Sequence, residues 1–383
     1  MSGRDVTKAF GGRWGRIRSM LRRLLAGFRG RAEVEGRDEI DPDFAAVDSA
    51  ARHEGPALPS LPEERTGRLN VRFHTRFNKC NFACEYCIAG QGDASDPRLA
   101  VPWDGSNYLP IVAALTRLPH RLNVRIGVGG EFFLSPLLIE GARDLSLSPN
   151  VESVNLITNL GFPTRSYRRW FADFDRSKLA LVASYHPTQV ADFRAWRATA
   201  VDLAGEVDLC VCMVAHPDRI DDLEYSIPAL RSEGLSVFVQ PFIGYLGGRA
   251  YPESYTAMER ERIRSLVFSR HDWEFLVEGK RPGLCNAGHT SIYVDLTGVV
   301  RICGMPIRGP VPVGNLLTGE PLRLYDGPRP CTATDCRCDT ENMNTEVFRL
   351  HYRRTGLNQH RYEYRFVDLA REVPGWGEWE ISY

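Results

Sequence analysis

Cys80-Asn81-Phe82-Ala83-Cys84-Glu85-Tyr86-Cys87 is the stretch on which the fold and chemistry of this chain turn. Its three cysteines stand at spacings of three and two intervening residues, just after an apolar run from Leu69 to Phe73. Thiolates this close together suit three irons of a cubic [4Fe–4S] cluster, for which cysteine is the usual ligand. Three donors for four irons leave one iron without a protein ligand. An iron with an open position binds a small molecule and does chemistry, whereas a cluster closed by four cysteines carries electrons. A tetrahedral zinc site is the competing expectation, because cysteines two residues apart also suit zinc. Zinc needs a fourth ligand nearby, and His74 is the residue that offers one.

The rest of the composition is that of an ordinary globular protein. The 383 residues are 43% apolar and 25% charged, enough for one barrel-sized domain and an appendage. Formal net charge is zero, so no bulk attraction draws nucleic acid and no such partner is expected. Lysine is confined to Lys8, Lys79, Lys178 and Lys280, leaving arginine as nearly all of the 48 basic residues. That bias reads as codon usage rather than a basic patch. No apolar run reaches the roughly 18 residues of a membrane span. The ten cysteines form three groups, 80/84/87, 210/212 and 285/303/331/336/338. With no secretory signal visible, this clustering favours metal or cluster binding over disulfides and predicts a cytoplasmic protein.

Residues 1–65 stand apart. Trp14, Ile17, Met20, Leu21, Leu24, Leu25 and Phe28 recur at helical steps, with Arg13, Arg16, Arg18, Arg22 and Arg23 between them. This predicts an amphipathic basic helix. It suits an anionic membrane surface, a partner protein or the chain's own barrel. Residues 30–65, with Pro56, Pro59 and Pro62, have a linker composition.

From Leu69 onward β-like runs alternate with helical patterns. Strands are predicted near 69–74, 122–128, 153–158, 179–184, 207–214 and 236–241. Helices are predicted near 107–118, 136–145, 164–173, 190–204, 218–233 and 256–270. Six such units imply a parallel α/β sheet, wound by right-handed crossovers into an open, partial barrel. Polar groups gather at the predicted carboxyl ends of the strands: Gly129-Gly130-Glu131, Thr158-Asn159, Ser184-Tyr185-His186, His216 and Gln240. That is where barrel active sites lie. His186 and His216 are the candidate catalytic residues, since a histidine moves protons near neutral pH. A structural place for each histidine, and helix capping by Thr158, Asn159 and Ser184, are the bland alternatives. Cys210 and Cys212 share a strand face and are expected to pack as small apolar residues.

The C-x3-C-x2-C pattern at 80–87, with Tyr86 before its last cysteine, resembles the signature of radical S-adenosylmethionine (SAM) enzymes. Gly129-Gly130-Glu131 resembles the family's GGE motif, with Phe132 where many relatives carry proline. The resemblance implies a partial (β/α)6 barrel over 66–275, with the reducing cluster on Cys80, Cys84 and Cys87. It also implies SAM contacts from Tyr86, Gly129, Gly130, Glu131, Thr158, Asn159, Ser184 and Gln240. One electron from a flavodoxin- or ferredoxin-type donor would split SAM, and the 5′-deoxyadenosyl radical would take hydrogen from substrate.

Apolar alternation around Thr297-Gly298 predicts a β-hairpin. Its frame, Cys285-x12-Gly298-x4-Cys303, is followed by Val313-Gly314-Asn315-Leu316 and Cys331-x4-Cys336-x-Cys338. This order resembles the twitch or SPASM extension of one radical SAM subfamily. It implies an auxiliary [4Fe–4S] cluster in 276–345, held by Cys285, Cys303 and two of Cys331, Cys336 and Cys338. Zinc is again the competitor. Residues 346–383, with a helix expected near 345–354, are rich in aromatics and expected to cover part of the barrel. By resemblance the substrate is a small polar metabolite undergoing oxidation, dehydrogenation or epimerisation, with a ribosomally made peptide as the alternative. A non-catalytic zinc- or cluster-stabilised binding protein is the rival of another class.

Overall fold

The computed structural model describes residues 67–87, 105–267, 273–279, 284–304, 312–330, 336, 343–345, 348–349 and 352–364. The chain divides into two units, Met1–Pro59 and Ser60–Tyr383. The basic amphipathic stretch at 10–28 lies outside the described residues.

Strands and helices alternate as the sequence predicts. Their order is β1 (Arg68–His74), α1 (Tyr108–Leu115), β2 (Arg121–Gly127), α2 (Pro136–Leu147), β3 (Val151–Thr158) and α3 (Thr164–Trp170). Then follow β4 (Leu179–Tyr185), α4 (Phe193–Ala204), β5 (Asp208–Ala215), α5 (Ile220–Arg231) and β6 (Ser236–Pro241). β1 to β6 pair in parallel in chain order. A short pair, β7 (Gly244–Leu246) and β8 (Arg249–Tyr251), precedes α6 (Ala257–Arg264).

Local chemistry sets the helix starts. Ser135 caps α2 by accepting from Leu138 N at 3.3 Å, and Pro136 supplies a first-turn residue that needs no donor. Asp192 caps α4 by accepting from Arg194 N and Ala195 N. Thr256 and Glu259 form a reciprocal capping box on α6.

Strand alternation divides the two faces of the sheet. Leu69, Val71, Phe73, Leu122, Val124, Ile126, Leu181, Val211 and Val239 belong to one large buried cluster with the helices. The concave face carries the other residues of each strand and is itself divided. On β1 to β3 it presents Asn70, Arg72, Asn123, Arg125 and Asn155, whereas further along Val182, Cys210, Cys212 and Phe238 form a separate apolar cluster. Cys210 and Cys212 thus pack with apolar neighbours, as expected.

The C-terminal region adds strands to the barrel sheet and departs from expectation in one element. β9 (Leu284–Cys285) is followed by β10 (Ser291–Val294), β11 (Val299–Arg301) and β12 (Pro312–Asn315). The hairpin around Gly298 is present as expected, and it continues the barrel sheet. β10 pairs in parallel with β1, giving one nine-stranded sheet ordered β12-β11-β10-β1-β2-β3-β4-β5-β6. β1 would otherwise offer a row of unpaired backbone groups, and β10 covers it. Among the described residues β12 and β6 end the order, and the sheet is open between them.

β13 (Arg329–Pro330) pairs with β9. The helix expected near 345–354 gives way in its second half to β14 (Tyr352–Arg354), which pairs antiparallel with β15 (Tyr362–Tyr364). Tyr352 and Tyr362 bury their rings against Phe348, and an extended hairpin allows that pairing across strands. The turn between these strands covers the amino-terminal ends of the barrel strands. Leu357 N and Asn358 N donate to Asp208 Oδ2 at 2.6 and 3.0 Å, and Arg361 reaches Asp208 Oδ1 at 3.0 Å. Asn358 Nδ2 donates to Leu181 O at 2.6 Å, and His360 stacks on Phe238.

The contact of α1 with α2 depends on a glycine. A Cβ on Gly141 would lie 2.4 Å from the ring of Tyr108, which is fully buried and donates its hydroxyl to Leu138 O. Gly141→Ala is expected to cost about 1–3 kcal/mol in chemical denaturation, the range of an overpacked core. At Gly205 the nearest atom to an added Cβ is 3.5 Å away, so Gly205→Ala is the control and should leave stability unchanged or raised.

Candidate active site

The three cysteines sit on the loop that follows β1, at the carboxyl end of the sheet. Thr75 N and Oγ1 both donate to Gly127 O, at 3.0 and 3.1 Å, so the loop leaves β1 tied to the end of β2. Arg76 has φ 55°, a left-handed conformation unusual for a side-chain-bearing residue. Cys84 and Cys87 are partly buried and Cys80 is exposed, and Cys87 N closes a turn onto Cys84 O at 3.1 Å.

The loop has no helix or strand of its own, and three neighbouring segments shape it. The Gly129-Gly130-Glu131 turn meets its backbone: Glu131 N donates to Lys79 O at 2.8 Å, and a Cβ on Gly130 would lie 2.0 Å from that oxygen. Only glycine permits this approach. From the end of β3, Asn159 Nδ2 donates to Asn81 Oδ1 at 2.8 Å and lies 3.6 Å from Cys80 Sγ. Phe82 N also points at that sulfur, at 3.4 Å. After β4, Gln189 clamps Ala83 on both sides, its oxygen accepting from Ala83 N at 3.0 Å and its amide donating to Ala83 O at 3.4 Å.

Glu131 ties the ends of β2 and β3 together. Its Oε1 accepts from Phe133 N at 3.2 Å and Thr158 Oγ1 at 2.9 Å, and its Oε2 accepts from Asn159 N at 2.7 Å. Burial pushes its carboxyl up to about 7, against the lowering effect of these donors. Thr158 also contacts Tyr167 Oη at 3.3 Å, on the helix side of the sheet. Ser184 and Gln240 instead stand half-buried on the concave face near the strand ends.

Both candidate histidines pack on Tyr86. His186 Nδ1 lies 3.1 Å from Tyr86 Oη, and the His216 ring centre is 5.0 Å from that of Tyr86. His216 Nδ1 accepts from Asp218 N at 3.3 Å, so it also caps the turn after β5. Burial pulls His186 down to about 4, and burial lowers His216 as well. Both are therefore neutral at physiological pH, with one ring nitrogen of each already engaged. They hold the aromatic centre of the cysteine loop against β4 and β5.

The donor set suits an iron–sulfur cluster. Burial first, then the neighbouring Cys87 and Cys80, pushes the Cys84 thiol up to about 11. Burial also raises Cys80, with the Phe82 N–H opposing it. Thiolates at this spacing repel one another, and a bound cationic group removes that penalty. Among the described residues, no three His, Cys, Asp or Glu side chains converge as a single metal ion requires.

The second cysteine group is only partly described. Cys285 lies in β9 and bridges to Thr345, Cys303 follows β11, and Cys331 and Cys338 lie outside the described residues. Cys336 is buried in the apolar cluster with Cys210 and Cys212. Asn81 and Gln189, which hold the cysteine loop in place, were not anticipated as site residues.

No family model matches the chain, and no curated protein matches it. Among solved structures it is similar to native anSMEcpe with bound AdoMet, at 14% identity over 74% of this chain and 82% of that one, TM-score 0.45. It is also similar to BtrN in complex with AdoMet and 2-DOIA, at 14% identity over 66% and 80%, TM-score 0.38. Overlaps this loose carry no argument about chemistry. No described helix is long and apolar enough to cross a membrane.

The raised Glu131 carboxyl has a consequence for stability. Its folded value near 7 lies above the ordinary carboxylate range, so ionisation disfavours the folded state. Stability from this group is present at low pH and declines as pH rises from about 4.5 to about 7, by on the order of 3 kcal/mol. Denaturant titrations of the wild type and Glu131→Gln across pH 4.5–8 should show the wild-type advantage shrinking as pH rises. An advantage that is constant with pH, or that grows, would contradict it.

Proposed function

We propose that this protein is a radical SAM enzyme in which Cys80, Cys84 and Cys87 hold a [4Fe–4S] cluster with one iron left for SAM. The observation that carries this reading is the arrangement of three thiols on one loop at the carboxyl mouth of a parallel sheet, with two N–H groups directed at Cys80 Sγ. When bound, such a cluster supplies the electron that splits SAM into methionine and a 5′-deoxyadenosyl radical, which takes hydrogen from the substrate.

The chain's own residues do the positioning. Gly130, Asn159 and Gln189 fix the loop backbone, and Tyr86 is held between His186 and His216. In this reading the two histidines are positioning residues rather than proton carriers. Ser184 and Gln240 stand on the concave rim, available to polar groups of SAM or substrate. Glu131 acts on SAM through the strand ends it joins, since its oxygens already accept three hydrogen bonds.

The substrate class proposed is a small polar metabolite that is oxidised. An auxiliary cluster on Cys285, Cys303 and two of Cys331, Cys336 and Cys338 would take the electron left on the substrate. A flavodoxin- or ferredoxin-type protein would deliver the reducing electron.

Anaerobic reconstitution with iron and sulfide, followed by SAM and dithionite, tests the proposal. We expect iron near eight per chain for two four-iron clusters, and 5′-deoxyadenosine as product. Cys84→Ala should abolish that product. Gly130→Ala should lower iron at the first site while keeping the far-UV spectrum. His186→Gln should reduce, not abolish, the yield. Zinc as the main metal with no SAM cleavage would overturn the proposal.

A further inference from the structure

Asn159, the first residue after β3, is buried and has a protein partner at each of its polar atoms. Its backbone N donates to Glu131 Oε2 at 2.7 Å, and its backbone O accepts from Trp196 Nε1 at 2.9 Å. Its side-chain oxygen accepts from Gly161 N at 2.8 Å. That bond fixes which way the amide faces, because a backbone N–H donates and the oxygen end alone accepts from it. The nitrogen end therefore faces the cysteine loop with two hydrogens to give. Asn81 Oδ1 lies 2.8 Å from it and Cys80 Sγ 3.6 Å from it.

The turn that presents this amide is strained. Leu160 has φ 51°, in the left-handed region that a leucine seldom enters. Its buried side chain holds it there, and its N–H donates to Thr158 Oγ1 at 3.2 Å. The reversal brings Gly161 N back onto Asn159 Oδ1, as in an Asx turn. A Cβ on Gly161 would lie 2.4 Å from Asn81 Nδ2 and 2.8 Å from Asn159 Oδ1, so the two amides meet where no side chain fits. Backbone strain of this kind collects at functional sites. A second donor reaches the same sulfur from the loop itself, Phe82 N at 3.4 Å. N–H groups directed at a sulfur favour its thiolate. On a cluster ligand they also draw charge from the iron–sulfur bond, which makes reduction easier. The backbone donor is present whatever residue stands at 82, whereas the amide donor depends on Asn159 itself.

We propose that Asn159 is a positioning residue that acts through Cys80 rather than on SAM: its side-chain N–H, donated to Cys80 Sγ, raises the reduction potential of the cluster held by Cys80, Cys84 and Cys87. Reduction by a flavodoxin- or ferredoxin-type donor and cleavage of a sulfonium make opposite demands on that potential. A hydrogen bond on one ligand sulfur adjusts the balance without changing the ligand set. Leu160 and Gly161 serve the same end, since the turn they make aims the amide. The inference rests on the function proposed above, because it needs the four-iron cluster.

Redox titration of the reconstituted full chain without SAM, followed by the paramagnetic resonance of the reduced cluster, reads the potential itself. The Cys285→Ala/Cys303→Ala background keeps an auxiliary signal out. Asn159→Leu removes the donor without adding charge. Asn159→Asp removes it while keeping an oxygen for Gly161 N, and Asn81 can turn its own amide to meet the carboxylate. Both should move the midpoint to more negative values, lowering the reduced-to-oxidised ratio at a fixed potential by roughly fivefold, the worth of one net hydrogen bond. Gly161→Ala should move it the same way. Gln189→Ala loosens the loop at Ala83 and leaves the sulfur donors in place, so it should lower iron content without moving the midpoint of the cluster that remains. No shift in Asn159→Leu, or an equal shift in Gln189→Ala, would overturn the proposal; a shift in Asn159→Asp alone would be the effect of added charge and would overturn it too. One further check needs no Asn159 variant to fold. With heavy nitrogen in the asparagine side chains, the reduced cluster should show a nitrogen hyperfine coupling, and its absence would also overturn the proposal. A chain that assembles no four-iron cluster would overturn the enzyme reading and this proposal with it, whereas a cluster that binds SAM but ignores Asn159 would overturn this proposal alone.

Discussion

A cysteine loop without regular secondary structure has to be shaped by what surrounds it, and here one backbone contact governs that shape. Glu131 N donates to Lys79 O where Gly130 leaves no room for a side chain. The same Glu131 carboxylate gathers the ends of β2 and β3, so the turn that touches the loop is itself fixed to the sheet. Asn159 then reaches from β3 to Asn81 and Cys80. Through these contacts the sheet determines where the three sulfurs stand. The cost is a buried carboxyl whose ionisation near neutral pH works against folding.

The concave face combines two different environments, and strand alternation produces both. From β4 to β6 the inward positions are Val182, Cys210, Cys212 and Phe238, an apolar wall clustered with Phe275, Leu276 and Cys336. On β1 to β3 the inward positions are asparagines and arginines, and the tail closes over them. The tail is anchored by Asp208, which gathers two backbone N–H groups and Arg361 at the foot of β5. One half of the interior thus supplies rigidity, and the other presents charge.

Much of this architecture was legible in the sequence. The β and α elements of the barrel region appear where apolar periodicity changes between two and three-to-four residues, because each strand and helix buries one consistent face. Polar residues at the strand ends marked the site for the same reason. What stayed hidden depends on long-range pairing. Nothing local in Ser291–Val294 says that it joins β1 in parallel, 220 residues away at the Asn70–Thr290 contact. Tyr352–Arg354 carries a pattern short enough to read as helix, and its pairing with Tyr362–Tyr364 decides otherwise. His186 and His216 drew notice as proton carriers, and the fold adds what the sequence could not show, that both pack on Tyr86.

The central claim is that the trio at 80, 84 and 87 leaves one iron open to SAM at the mouth of the sheet. Electron paramagnetic resonance of the reconstituted, dithionite-reduced protein examines that iron directly. In a Cys285→Ala/Cys303→Ala background, which removes the auxiliary signal, the remaining [4Fe–4S]⁺ spectrum should change its g-values when SAM is added. A spectrum indifferent to saturating SAM, or a reduced cluster signal that survives replacement of Cys84, would contradict the account.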